Sequence, residues 1–141
     1  MPVSLIGVAN KKAFDLGVSG PDDIRTLVIA TGVAQFVFRG VGSEFIRDSV
    51  VIPIGVFIGD PSTYRGATAI ASLAAIANDG PSNNAGWAVD SVDTPDSPPP
   101  GEYKITANLA VRDTDGFLLR ISYQVMLMFT KSPIPHEPPF P

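Results

Sequence analysis

The chain has no cysteine, and only one of its 141 residues is histidine. Without thiols there are no disulfides, no zinc-thiolate or iron-sulfur sites and no cysteine nucleophile. Charge is also scarce. Charged residues make up 17% of the chain, against about 25% in a typical soluble domain. Concentrated positive charge is missing too: the ten Lys and Arg residues are outnumbered by fourteen Asp and Glu, for a net charge of -4. The basic residues stand singly apart from Lys11 and Lys12. Duplex nucleic acid needs a clustered basic face, so that class of partner is not expected. The longest apolar stretches, residues 50–59 and 67–77, fall well short of the ~20 residues that cross a bilayer. At the start of the chain the charge follows a short apolar run instead of preceding it, so no signal peptide and no membrane insertion are expected. A soluble chain in a cytoplasmic or virion setting fits this better than a secreted one.

What is present is apolar: 45% hydrophobic residues and a mean hydropathy of +0.22. The length fits one domain with a real core, assigned to residues 1–130, followed by a proline-rich tail over 131–141 that cannot join a sheet or helix.

Alternation dominates the pattern. Tyr103, Ile105, Ala107, Leu109 and Val111 are apolar at odd positions, and so are Leu119, Ile121, Tyr123, Val125, Leu127 and Phe129. Each run has the period of a half-buried strand. Pairing odd with odd places Asp113 opposite Phe117 across a loop of Thr114, Asp115 and Gly116, where glycine suits the left-handed position. The spacing predicts a C-terminal hairpin. Ile46, Val50, Ile52, Ile54, Val56 and Ile58 share one parity and predict a long strand, with Pro53 requiring a sheet edge or a bulge. Residues 26–38 are apolar on both parities and predict one or two buried strands with a bend at Gly32. Short strands are expected over 3–8, 13–18 and 86–93. Residues 67–78 read as strand, with a helix as the main alternative because alanine favours it and Gly80 and Pro81 suit a helix end. The whole predicts an all-β, antiparallel two-layer sandwich of about seven to nine strands.

Around Pro100, Gly101, Glu102 and Tyr103 the sequence resembles immunoglobulin-like and fibronectin-type-III-like sandwiches, over about the last 95 residues. The resemblance implies that Tyr103 opens the penultimate strand and turns a corner by bonding back to the backbone. It also implies that Trp87 fills the core and that residues 103–129 form the last hairpin. A sandwich hosts many functions and by itself implies none.

Catalytic chemistry finds little support. His136 lies in the proline-rich tail, a poor place for a base that must be held against a nucleophile. Gly40 and Gly42 lack the lysine and third glycine of a nucleotide loop. The carboxylates Asp90, Asp93, Asp113 and Asp115 are calcium candidates of the weakest kind, since aspartate beside glycine, proline or serine is first of all a turn residue. No cofactor is expected beyond calcium in one of these loops, and no catalytic residue is assigned. Tyr64 and Arg65, in the turn Asp60 to Gly66, are ligand-loop candidates expected to be exposed. Pro53, Met126, Met128 and Phe140 are interface candidates: the two methionines stand on the otherwise polar side of the last strand.

The leading expectation is a non-catalytic assembly protein that acts by association, as a homo-oligomer or a virion, sheath or surface component. A carbohydrate- or calcium-binding module using the loops near residues 60–65, 79–84 and 90–96 comes second. A hydrolase using loop carboxylates comes third.

Overall fold

The computed structural model describes residues 3–18, 23–38, 44–77, 86–112 and 118–130. Among these residues seven strands form two antiparallel sheets. They are β1 (Val3–Gly17), β2 (Thr26–Phe38), β3 (Ile46–Ile58), β4 (Tyr64–Ala77), β5 (Gly86–Asp93), β6 (Gly101–Arg112) and β7 (Leu118–Phe129), with one 3-10 turn, Pro61–Thr63, before β4. The four-stranded sheet runs β1-β2-β7-β4 and the three-stranded sheet β3-β6-β5. Among the described residues no helix is long and apolar enough to cross a membrane.

The core lies between the sheets, and the alternation reports it faithfully. Val28, Ala30, Ala34 and Phe36 of β2 meet Ile121, Val125, Leu127 and Phe129 of β7. Ile52, Ile54, Val56 and Ile58 of β3 and Ile105, Leu109 and Val111 of β6 press on them from the other layer, all essentially without solvent contact. Residues 67–77 are strand, not helix: Ala67, Ala69 and Ala71 pack against the core at the two-residue period of a sheet face. Pro53 meets both of its sequence conditions, since β3 is an edge strand and its pairing with β6 shifts register between Pro53 and Phe57.

Three expectations are corrected. The last two strands do not form a hairpin: β6 pairs with β3 and β5, and β7 with β2 and β4, in different sheets. Two strands that face one core from opposite layers share an inward parity as hairpin partners do, so alternation cannot separate the two arrangements. The Asp113 to Phe117 loop lies outside the described residues. Residues 3–17 are one strand, not two, interrupted by register shifts at Leu5/Gly7 and Ala9/Lys12, with Asn10 in the second shift at a left-handed φ of 56°. Residues 26–38 form a single strand buried on one face only, whose other face stays partly exposed.

The strand order also separates this fold from the immunoglobulin arrangement. There the sheets contain, in sequence order, strands 1-2-5-4 and 3-6-7. Here they contain 1-2-7-4 and 3-6-5, with the fifth and seventh strands exchanged. Trp87 lies opposite Val111 in the β5–β6 ladder, and its side chain is outside the described residues.

Candidate association face

At one end of the sandwich Tyr64, Tyr103 and Phe129 form an aromatic plug, with both ring centroid distances from Tyr64 at 5.8 Å. Tyr64 is therefore buried, against the expectation of an exposed ligand loop. The turn before it explains why. The Asp60 carboxylate accepts from the Ser62 N–H at 3.1 Å and the Thr63 N–H bonds the Asp60 carbonyl, which bends the chain and drives the next side chain inward. The Tyr64 hydroxyl donates to the Pro95 carbonyl at 2.8 Å. Its one proton is thereby committed, so the Tyr103 hydroxyl donates to Tyr64 across 3.0 Å. The hydroxyl of Tyr103 thus reaches the backbone through a second tyrosine, whereas the sandwich resemblance implies a direct bond. Burial pushes both phenols above their ordinary range, and the bond to Tyr64 raises Tyr103 further.

Arg65 stays on the surface and grips Asp23, with Nη2 and Nε donating to its two carboxylate oxygens at 3.0 and 3.3 Å. That contact holds the Asp23 carboxyl below the usual carboxylate range. The ligand-loop pair is thus split: Tyr64 closes the core and Arg65 ties two loops together.

The outer face of the three-stranded sheet carries a polar network, with Val51 and Phe57 of β3 exposed separately beside it. Ser49 Oγ donates to Asn108 Oδ1 at 2.6 Å, and Asn108 Nδ2 donates to Ser91 Oγ and Asp93 Oδ2, both at 2.9 Å. Arg47 pairs with Asp90 at 3.3 Å. The calcium candidates Asp90 and Asp93 are thus joined to different partners across the sheet, not turned toward a common point. Among the described residues no cluster of three acidic or histidine side chains is placed to hold a metal ion. Asp113, Asp115, His136 and Phe140, and the loop 79–84, lie outside the described residues.

The outer face of the four-stranded sheet is built differently. Directly opposed residues in a ladder point to the same side. Phe14 opposes Ile29 and Leu16 opposes Leu27; Ile29 and Leu27 in turn oppose Met126 and Met128. Two adjacent rows across β1, β2 and β7 therefore present six large apolar side chains on the solvent side. Phe14 is 54% exposed, Leu16 46%, and the other four are half-buried by their neighbours. The rows end at Thr68 and Gly66 of β4. Next to this shelf is a shallow depression of about 590 Å³ lined by Asn10, Lys12, Thr31, Ser72, Ser122 and Gln124, with Ile70 at its rim.

The ladders bring the interface candidates Met126 and Met128 together with Phe14, Leu16, Leu27 and Ile29, which the sequence does not single out. For Leu27 and Ile29 the signal is the two-sided apolar pattern of residues 26–38, which fits an apolar outer face as well as burial on both sides. Pro53, the remaining interface candidate, sits half-buried on the other sheet, away from the shelf. Compared with known proteins, the chain matches no family model, no curated protein and no solved structure.

Proposed function

We propose that this protein is a non-catalytic assembly component that works by protein-protein association through the outer face of its four-stranded sheet. The observation that supports this most is the contrast between the two outer faces. One joins its polar groups to each other and exposes only the separated Val51 and Phe57, whereas the other presents Phe14, Leu16, Leu27, Ile29, Met126 and Met128 together. A contiguous apolar patch rimmed by polar groups marks an interaction surface. Methionine suits such a surface because it repacks readily against a partner. The partner expected for this face is another copy of the same chain, in keeping with the prevalence of homo-oligomers.

Sedimentation velocity across micromolar concentrations tests this. The wild type is expected to self-associate, and the double variant Met126→Lys, Met128→Lys to lose the part of that association that runs through this face and sediment as a smaller species, with an unchanged circular dichroism spectrum. A wild type that is monomeric throughout, with no other protein bound, overturns the reading.

A second reading is favoured by the depression beside the shelf: hydroxyl and amide groups of Asn10, Thr31, Ser72, Ser122 and Gln124 suit a polar ligand such as a carbohydrate. A glycan array with hits lost in Gln124→Ala supports it, and an array without hits removes it.

A further inference from the structure

Among the described residues the sandwich has four sheet edges, and three of them have features that discourage pairing with another strand. On β1 these are Lys11, Lys12 and a register shift around the left-handed Asn10. On β3 they are Pro53 and the shift that follows it. β5 is short, charged at Asp90 and Asp93, and shifted after Val89. The fourth edge has none of these along its middle. From Gly66 to Ala77, β4 contains no charged residue and no proline. Its register with β7 is continuous from Gly66 through Leu73. At the centre of that stretch is Ile70, 68% exposed, the most exposed large hydrophobic side chain among the described residues. Among the described residues no strand pairs with the outer edge of β4.

We infer that the edge of β4 is a strand-addition site for a second copy of this chain, residues 66–73 of each copy pairing antiparallel about a two-fold axis. The occupant follows from charge and symmetry. The uncharged edge has no repulsion against itself, while the β1 and β5 edges present lysines and aspartates and the β3 edge presents Pro53. A self-complementary two-fold contact also closes, limiting growth to a dimer. In that pairing Thr68, Ile70 and Ser72 of both copies lie on the exposed face. Ala67, Ala69 and Ala71, only partly buried in one copy, are covered by the same residues of the other. The sheet then runs through eight strands across the dimer. The inference rests on the reading that the chain self-associates, but uses an edge separate from the apolar shelf.

The absence of native cysteine gives a clean test, because one introduced thiol per chain reports one contact. Thr68→Cys, Ile70→Cys and Ser72→Cys are prepared in the full chain, with Ile6→Cys and Phe57→Cys as controls of comparable exposure on the β1 and β3 edges. Oxidation with copper-phenanthroline at micromolar protein is followed on non-reducing gels. Directly opposed residues across a two-fold strand pair meet disulfide geometry. One of the three β4 positions is therefore expected to cross-link at least about tenfold faster than the controls, since paired thiols meet at far higher effective concentration than free chains do. A lysine placed at whichever of Thr68 and Ser72 is not the fastest position is expected to abolish that advantage. Met126→Lys with Met128→Lys is expected to leave it intact, which separates failure at the edge from failure at the shelf. Equal rates at all five positions overturn the inference, as does growth of the shelf variant beyond a dimer.

Discussion

At the scale of single residues the three tyrosines of the chain do the most to define this molecule. All are buried. Burial raises each of them, Tyr123 to about 12 with the Glu102 carboxylate adding to the effect. A phenol whose folded pKa lies above its unfolded value, near 10, contributes stability that is intact below that pH. It is lost as the pH rises through the folded pKa, because the unfolded chain ionises first. Stability is therefore expected to fall steeply between pH 10 and 12, with tyrosinate absorbance at 295 nm appearing together with loss of circular dichroism. Smooth ionisation near pH 10 in a folded chain contradicts this. Tyr64 and Tyr123 also predict opposite responses to losing a hydroxyl. Tyr64→Phe removes the bond to Pro95 and leaves Tyr103 without its acceptor, a loss of about 1–2 kcal/mol in urea unfolding. Among the described residues the buried Tyr123 hydroxyl has no hydrogen-bond partner, so Tyr123→Phe is expected to be neutral or to stabilise by about 1 kcal/mol. Gly32 faces that ring so closely that an added Cβ would strike the phenol of Tyr123, and Gly32→Ala is expected to cost about 1–3 kcal/mol by overpacking. The sequence marks Gly32 as special but suggests a bend, because the ring that needs the space belongs to a strand some ninety residues further along.

At the scale of elements, Glu102 shows how the two layers are held in register. Its carboxylate accepts from the Gly55 N–H at 3.0 Å and lies 3.5 Å from Lys11 Nζ. One side chain of β6 thereby fixes irregular points of β3 and β1, where Gly55 has a φ of 81°. Glu102→Gln is expected to lower stability by about 1 kcal/mol, most of it from the backbone bond and little from the half-exposed ion pair. Element identity and inward parity are legible from residues such as Ile52, Ile105 and Leu127. Sheet membership is not. Tyr103 to Val111 and Ile121 to Phe129 have the same inward parity whether the strands are side by side or face to face, and only non-local pairing decides between them. Cross-strand NOEs between Ala107 and both Val50 and Val92, with none linking backbone protons of β6 to β7, are expected from the observed registers. A β6–β7 ladder contradicts this topology.

At the scale of the whole molecule, the composition and the two outer faces tell one story. Charge is low for a soluble domain at an ordinary apolar content, and the strands group six large apolar side chains on one outer face while Val51 and Phe57 are exposed on the other. Met126 and Met128 are legible as candidates because they break the polar side of β7. Their companions Phe14 and Leu16 are not, since each becomes a neighbour only when β1 pairs with β2 and β2 with β7. The central claim is that this shelf is an association face, and the scarcity of methionine makes it directly measurable. The chain has three methionines, so methyl-labelled methionine gives three signals, two of them from the shelf. In a concentration series from about ten micromolar to one millimolar, a span that covers ordinary protein-protein affinities, the Met126 and Met128 methyl signals are predicted to shift or broaden together as the sedimentation coefficient rises. Methyl signals that stay fixed while the chain self-associates would contradict the account.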